Sequence, residues 1–295
     1  MKASVYYGVQ FAQSRMLLAS QAGVRSELPR LLAPGADVSI DGAEPAEGWA
    51  THLPATQYIE PTDEDGSVRA SWTTLGAELT GDEPTGDIRY VVGEYDNLFT
   101  RYDGVWKFTR LRWRPLARTT PWPQHPDAVL ERHRADPSAW AQLPPALGAV
   151  SDAGVSPRTL ITLELRNTVM GICHRYNQSG VPALEDPRVS PAAARSAREM
   201  LAADGTGRGF VLATSPVVGI AADALSARVF VSATFLAPRG ADRIEHRRGS
   251  LLVSFTRATA TGPWTVAAWD WHRYATLQPW TLDDVSGFRE RNDDE

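Results

Sequence analysis

Near the N-terminus, apolar residues recur with the period of a buried helix. Val5, Val9, Ala12 and Met16 follow one another at spacings of three and four residues, which is the spacing of positions on one face of an α-helix. The pattern therefore predicts a well-buried helix over residues 4–20.

After this helix the pattern changes to the alternation of apolar and polar residues that is typical of β-strands. The predicted elements are a short helix over 26–32 and strands over 37–40, 52–60, 68–79, 88–102 and 105–116. Turn sequences separate the long strands, and Asp103-Gly104 is the tightest of them. Helices followed by a meander of antiparallel strands predict an α+β domain.

The chain contains one pattern twice. The segment 106–122 (WKFTRLRWRPLARTTPW) recurs as 264–280 (WTVAAWDWHRYATLQPW). The pairs that recur at an offset of 158 positions are Trp106 and Trp264, Trp113 and Trp271, Pro121 and Pro279, and Trp122 and Trp280. The same offset pairs Trp72 with Phe230. Matching landmarks at a fixed offset predict two copies of one domain.

The repeat divides the chain into four parts. One domain is predicted over 1–122 and a second over 156–282, joined by a proline- and alanine-rich linker over 123–155. Ser156-Pro157 is a good start for the first helix of the second domain, because serine caps helix N-termini and proline fits the first turn. Residues 283–295 are an acidic tail.

Composition limits the partners and the compartment. The 295 residues carry a formal net charge of −5, which argues against nucleic acid or an anionic membrane as the main partner. No run approaches the ~20 apolar residues of a membrane span, and the N-terminus lacks the apolar core of a signal peptide, so a cytoplasmic protein is expected. Cys173 is the only cysteine, which excludes an internal disulfide. The six histidines are not spaced as ligands, so we expect neither a metal nor another cofactor.

Three short motifs carry a resemblance to a known superfamily. They are the turn in 102–108 (YDGVWKF), the tyrosine-bearing strand in 93–95 (GEY) and the pair Thr51-His52 at the start of a long strand. Together with the order of elements, they resemble the nuclear transport factor 2-like superfamily, and in particular its SnoaL-like members and scytalone dehydratase. The resemblance implies a cone in which a strongly bent sheet surrounds a deep apolar pocket.

The internal repeat extends this resemblance along the chain. It implies two tandem cone-shaped α+β barrel domains, both SnoaL-like, that form an intrachain pseudo-dimer, because members of the superfamily commonly dimerise through their sheets. The expected assembly is a monomer that acts as a pseudo-dimer, or a low homo-oligomer. The expected partner is a hydrophobic small-molecule ligand.

The resemblance also suggests catalytic residues. His52 matches a pocket histidine that moves a proton in the dehydratase-like members, and histidine can act as acid or base near neutral pH. Asp41 and Glu94 are the carboxylates that could assist it. The chain departs from the family where Gln21 stands in place of the catalytic aspartate and Trp72 in place of a second histidine. Glutamine can hydrogen-bond a carbonyl but cannot act as a general base.

The remaining candidates belong to the two expected pockets. The residues expected to bind substrate are Trp72, Tyr58, Gln21 and Phe230, and those expected in the second pocket are His174, Gln178, Asp270 and His272. Core packing is the alternative for the aromatic residues of this set. Asp270 and His272 share a strand face, so they form either an acid–base pair or an interface pair with Arg112 and Arg114, which stand at the matching positions.

Three functions are compatible with these residues. The first is a cofactor-free lyase, isomerase or cyclase that acts on a hydrophobic oxygenated ring compound by acid–base catalysis. The second is a non-catalytic ligand-binding or scaffold protein with degenerate pockets, which the missing aspartate favours. The third is an epoxide hydrolase, which requires a buried pair of acids to activate water.

Overall fold

The structure is a computed structural model in which the chain forms two compact units. The residues that it describes are 2–21, 28–40, 50–62, 66–80, 87–119, 152–180, 184–203, 209–238 and 243–284. Unit 1 consists of Met1–Pro54 and Ile59–Leu160, and unit 2 of Ala55–Tyr58 and Ile161–Glu295. Most of the predicted linker and of the acidic tail lies outside the described residues.

Unit 1 begins with the predicted buried helix. This helix, α1, spans Ala3–Gln21, and Val9 and Met16 of its apolar stripe are buried. Its first turn is held by Asp152, whose carboxylate accepts hydrogen bonds from the Ser4 amide at 3.0 Å and the Ser4 hydroxyl at 2.7 Å. These two hydrogen bonds hold the pKa of Asp152 below its usual range. The prediction of this helix is confirmed.

The predicted meander follows, and all of it except Ala55–Tyr58 belongs to unit 1. Its elements are α2 (Leu28–Leu31), β1 (Leu32–Ile40), β2 (Ala50–Pro61), β3 (Ser67–Thr80), β4 (Asp87–Tyr102) and β5 (Val105–Thr119). The long strands lie in the order β2-β3-β4-β5, β3 to β5 are antiparallel, and β1 pairs parallel with β5. The predicted turn between β4 and β5 is present, with positive φ at Asp103 and Gly104, as a tight hairpin turn requires.

The elements of the second half of the chain are again two helices followed by long strands. They are α3 (Pro157–Ser179), α4 (Pro191–Ala203), β6 (Phe210–Ile220), β7 (Ser226–Pro238), β8 (Arg243–Thr256) and β9 (Thr265–Asp284). The strands form an antiparallel sheet in the order β6-β7-β8-β9. Val189 makes a parallel bridge to Val266 near the start of β9, as Leu32 pairs in parallel with Phe108 of β5.

Both ends of α3 are capped, and the N-terminal cap is the serine that the sequence predicts. The Ser156 hydroxyl accepts a hydrogen bond from the Thr159 amide at 3.1 Å, which caps the N-terminus. Gly180 has a φ of 66° and donates its amide to Tyr176 at 2.7 Å, which is how a glycine ends a helix. Among the described helices, none is long and apolar enough to cross a membrane.

The last hairpin of each unit has the same two irregularities. Between β4 and β5 the register shifts just before Gly93 and just before Phe99. Between β8 and β9 it shifts just before Gly249 and just before Phe255, and a further shift lies between Ile244 and His246. Each shift inserts a residue that bends the strand locally, so the two hairpins bend at matching places.

A tryptophan explains the glycine at the first of these irregularities. A Cβ atom on Gly93 would lie 2.5 Å from the indole of Trp113, and a Cβ on Gly249 would lie 2.2 Å from the backbone oxygen of His272 and 2.5 Å from the indole of Trp271. A side chain at Gly93 would displace the ring, and one at Gly249 would displace both the ring and the backbone of β9. The tryptophans that mark the sequence repeat therefore each require a glycine on the neighbouring strand.

We expect Gly93→Ala and Gly249→Ala each to lower the free energy of unfolding by about 1–3 kcal/mol, the usual cost of overpacking. Gly219→Ala is the matched control, because Gly219 also lies in a strand but has no atom within 4 Å of its would-be Cβ. Urea denaturation followed by tryptophan fluorescence measures all three. Equal stability of the three variants would contradict the close approach of glycine and indole.

Candidate functional site

Unit 1 has a row of aromatic residues across its sheet. Trp72 pairs with Tyr95 across β3 and β4, and Tyr95 pairs with Trp113 across β4 and β5, so all three share one face. Their exposed fractions are 2%, 4% and 1%. We call the face that carries this row the interior face of unit 1.

Two amides are buried beside the aromatic row. Asn97 lies two residues after Tyr95 and therefore on the same face. Its amide nitrogen donates to Gln13 Oε1 of α1 at 2.7 Å, and its Oδ1 accepts from the backbone amide of Arg112 at 3.1 Å. Gln13 and Asn97 are both 0% exposed. Since Gln13 bonds Asn97, α1 covers the interior face at this point.

The interior face contains two buried donors that lack an acceptor. Gln13 Nε2 and Trp72 Nε1 have no hydrogen-bond partner among the described residues. The indole of Trp113 differs, because its nitrogen lies 3.4 Å from the Thr74 hydroxyl. Buried polar groups are nearly always hydrogen-bonded in folded proteins, so this pair of donors marks the interior face as a candidate binding site.

Neither amide is among the residues predicted from the sequence. A signal was present, since Gln13 stands four residues after Val9 and three before Met16, on the apolar stripe of α1. Tyr95 adds a further polar group to the same face, and burial raises the pKa of its hydroxyl well above the usual range. Tyr95 therefore stays a neutral phenol near neutral pH.

The opposite face of the sheet in unit 1 carries charge. Glu94 is adjacent to Tyr95 and points the other way, where Arg114 lies 3.2 Å from its carboxylate. On the same face, Asp96 contacts Arg69 at 2.7 Å and Arg110 at 3.0 Å. The fold thus separates Glu94 from Trp72, with which it is predicted to share a pocket.

Other residues predicted for the first pocket are described only in part. Asp41 lies outside the described residues, and the side chains of Gln21 and His52 lie outside them as well. The backbone places His52 on β2, next to the strand that carries Trp72. Tyr58, also on β2, belongs to unit 2 by its contacts.

Unit 2 has a small apolar cavity. It is lined by Ile172, Cys173, Tyr176, Leu184, Leu201, Val211, Phe235 and Trp269. The volume open to the centre of a water molecule is about 10 Å³, which is room for about one water. Burial raises the pKa of the Cys173 thiol to about 12, so the thiol stays protonated and unreactive at neutral pH.

The residues predicted for the second pocket do not line this cavity. His174 is buried and stacks on Tyr58 with 5.8 Å between ring centres. Gln178, Asp270 and His272 are exposed. Within the described residues, no cluster of three or more His, Cys, Asp or Glu is arranged to hold a metal ion.

Phe230 is not the structural counterpart of Trp72. Trp72 pairs with Tyr95, whereas the residue that pairs with Leu251, at the matching place in unit 2, is Val231. The offset of 158 therefore slips by one on this strand, and a slip of one residue reverses the face of the sheet. Phe230 is accordingly 44% exposed, on the face opposite to that of Phe235, which lines the cavity.

The interior positions of unit 2 are apolar where those of unit 1 are polar or aromatic. The counterparts, placed by distance from the two glycines and by strand pairing, are Val231 for Trp72, Leu251 for Tyr95 and Val253 for Asn97. The offset that aligns Gln21 with Gln178 aligns Gln13 with Met170. At these three positions, unit 1 thus has two aromatic rings and an amide where unit 2 has aliphatic side chains.

Unit 2 instead contains a buried ion pair. Arg247 Nε donates to Glu245 Oε1 at 2.6 Å, and the exposed fractions of these residues are 1% and 7%. Arg247 pairs in register with Phe235. It stands two residues before Gly249, where unit 1 has Val91 two residues before Gly93. Arg247 therefore occupies a position that is aliphatic in unit 1, whereas the position of Glu245 corresponds to Arg89.

Comparison with known proteins gives no family model and no curated protein that matches the chain. Solved structures are similar to parts of it. A putative scytalone dehydratase from Novosphingobium aromaticivorans is 16% identical, with a TM-score of 0.33, covering 44% of this chain and 95% of its own. The hexachlorocyclohexane dehydrochlorinase LinA-type3 from Novosphingobium barchaimii is 18% identical, with a TM-score of 0.34, covering 43% and 94%.

A third similar structure is ActVI-ORFA from Streptomyces coelicolor. It is 10% identical, with a TM-score of 0.30, and the similarity covers 38% of this chain and 96% of that protein. These structures are folds of the nuclear transport factor 2-like kind, at partial coverage. The tandem duplication remains a prediction.

Proposed function

We propose that unit 1 binds a hydrophobic small molecule that contains a ring, on the interior face of its sheet. The observation that carries the proposal is the joint burial of the aromatic row and the Gln13–Asn97 amide pair. Aromatic rings provide a large apolar surface with defined stacking geometry. Buried amides provide orientation, because an imperfectly paired polar group favours one arrangement of the ligand.

The proposal assigns the two interiors different tasks. The cavity of unit 2 has room for about one water. The positions in its sheet that correspond to Trp72, Tyr95 and Asn97 are aliphatic. We therefore assign ligand binding to unit 1 and a structural role to unit 2. Buried aliphatic residues stabilise a fold without offering a ligand any directional contact.

Isothermal titration with 1-tetralone, a neutral two-ring ketone, tests this proposal. Ala70 is fully buried and pairs with Asn97 on the interior face, so Ala70→Leu is expected to fill the site and abolish binding. Ala233→Leu is the matched control, because Ala233 is a buried alanine in the sheet of unit 2. Binding that survives Ala70→Leu, in a variant that remains folded by circular dichroism, would refute the site.

We propose a cofactor-free elimination or isomerisation as the reaction, with His52 as the residue that transfers the proton. The position of β2 beside β3 supports this assignment, since it brings the strand of His52 next to that of Trp72. Asp41 is the carboxylate that we propose assists His52. Glu94 is a weaker candidate than the sequence suggests, because it pairs with Arg114 on the opposite face.

Two alternative functions are distinguished by turnover. A binding protein without catalysis would retain 1-tetralone and convert no substrate. An epoxide hydrolase would need two acids near one water, but Glu94 and Asp96 of β4 are each paired with arginines on the face away from the aromatic row. The geometry therefore favours the lyase or isomerase and the binding protein over the epoxide hydrolase.

We also propose that the two units are copies of one ancestral domain. The shared irregularities at Gly93 and Gly249 and the shared parallel pairing to the last strand support this. Divergence after duplication explains why the two interiors carry different side chains at matching positions, because a fused copy can change without altering the other.

A further inference from the structure

We propose that Thr56 and Asn177 close the free edge of β6, and that they thereby prevent this strand from pairing with β6 of a second copy of the chain. β6 is the last strand in the order β9-β8-β7-β6. The open backbone groups of such an edge strand are a template for pairing with another chain. The segment Ala55–Tyr58, which carries Thr56, belongs to unit 2 by its contacts, as do Asn177 and β6.

The backbone groups at this edge are those of Val211 and Ala213. In an antiparallel pair, every second residue directs its N–H and C=O groups to the neighbouring strand, and the residues between them direct theirs to the other side. Val211 and Ala213 stand two positions apart on β6, and side chains bind their backbone groups. Both residues are buried, so these groups need partners from the protein itself.

Thr56 and Asn177 supply these partners with four hydrogen bonds. The Thr56 hydroxyl donates to the carbonyl oxygen of Val211 at 2.8 Å and accepts from the amide of Ala213 at 2.9 Å. The side-chain nitrogen of Asn177 donates to the same carbonyl at 2.9 Å, and its Oδ1 accepts from the amide of Val211 at 2.7 Å. Each side chain thus gives one donor and one acceptor, as a residue of a neighbouring strand would.

Tyr58 anchors the segment that carries Thr56. Its ring stacks on that of His174 with 5.8 Å between ring centres, and the guanidinium carbon of Arg175 lies 5.8 Å from the centre of the tyrosine ring. The ring is so close to α3 that a Cβ atom on Gly171 would lie 2.6 Å from it. Because Thr56 and Tyr58 are two residues apart on one strand, they share a face, and the packing of Tyr58 holds Thr56 against β6.

The edge of β6 is suited to pairing with its own copy. Residues 210–214 (FVLAT) are mostly apolar, uncharged and free of proline, which is typical of segments that associate when they are exposed. In an antiparallel pair of two β6 strands with a two-fold axis at Leu212, Val211 of each copy faces Ala213 of the other. Such residues exchange two N–H···O hydrogen bonds. Thr56 and Asn177 occupy three of the four backbone groups that this pairing requires.

Analytical ultracentrifugation of the full chain at several concentrations tests this cap. The triple variant Thr56→Val, Tyr58→Ala and Asn177→Ala removes both capping side chains and the anchor of the segment. We expect its self-association to be at least about tenfold stronger than that of the wild type, which is the effect of about one hydrogen bond gained. Its mass at high concentration should be twice that of the wild type.

Two further variants locate the association. Ala213→Pro, added to the triple variant, removes the N–H group of residue 213 at the edge of β6, where proline is tolerated, and should return the association to the wild-type level. Thr168→Val is the matched control, because Thr168 is a buried threonine of α3 whose hydroxyl donates to the carbonyl of Glu164 at 2.9 Å. Its loss should leave the association unchanged. Circular dichroism checks that each variant is folded.

A folded triple variant that associates no more strongly than the wild type would overturn the inference. Association that Ala213→Pro leaves in place would overturn it as well, because another surface would then be responsible. If the triple variant does not fold, amide hydrogen exchange of Thr56→Val alone decides. The amide of Ala213 should then exchange about tenfold faster than in the wild type, while that of Val211, still bound by Asn177, keeps its protection. Equal exchange of Ala213 in both chains would refute the cap.

Discussion

Replacing Glu245 with leucine is expected to lower the free energy of unfolding by about 3–5 kcal/mol, because it leaves the guanidinium of Arg247 buried without its carboxylate. Arg247 is 1% exposed and lies 2.6 Å from Glu245, so water cannot replace the lost partner. Arg247→Val is expected to cost a similar amount, since it leaves the carboxylate of Glu245 buried instead. Urea denaturation measures both variants.

The double variant shows whether the loss of stability comes from breaking the ion pair or from other contacts of the two side chains. Val91 is the residue of unit 1 at the position of Arg247, so Arg247→Val introduces the residue of unit 1 there, and Glu245→Leu removes the second charge of the pair. We expect the double variant to lie within about 1 kcal/mol of the wild type, since buried ion pairs are often replaced by apolar residues without loss. Additive losses in the double variant would show that other contacts of these residues, and not their mutual pairing, stabilise unit 2.

The local elements of this chain follow from the sequence because their signals are local. The helix over 4–20 and the Asp103-Gly104 turn depend on spacing and on the φ preference of a few residues. The helix cap at Ser156 likewise depends on residues within one turn. The structure confirms all three.

The register of distant strands does not follow from the sequence in the same way. The repeat is aligned at Trp113 and Trp271, but one residue is gained before β7, and no residue type marks that change. The consequence is large, because Phe230 moves to the exposed face and Val231 takes the interior position of Trp72.

The candidate site was only partly predictable for a related reason. Trp72 is a predicted site residue, and it lies on the interior face. Gln13 and Asn97 come from a helix and a strand 84 positions apart, and their pairing appears only when α1 packs on the sheet. In the sequence, such a pairing is indicated only by a glutamine among the apolar positions of the helix.

His52→Ala is expected to reduce the turnover of 3-hydroxy-1-tetralone by a factor of about 10²–10⁴, the usual contribution of a general acid–base residue. In this reaction a base removes a proton from C2, next to the carbonyl, and the C3 hydroxyl leaves as water after it gains a proton. The dienone that results tautomerises to 1-naphthol, so fluorescence of the naphthol measures the rate. One histidine can serve both steps if it takes the C2 proton and returns it to the leaving oxygen.

Binding and chemistry must be measured on the same variant. If His52 transfers the proton, His52→Ala should retain the wild-type affinity for 1-tetralone while kcat falls, because an interaction made only in the transition state lowers kcat and leaves ground-state binding intact. A variant that keeps full turnover would remove His52 from the mechanism. A wild-type chain that binds 1-tetralone and converts no 3-hydroxy-1-tetralone would refute the lyase and leave the binding function.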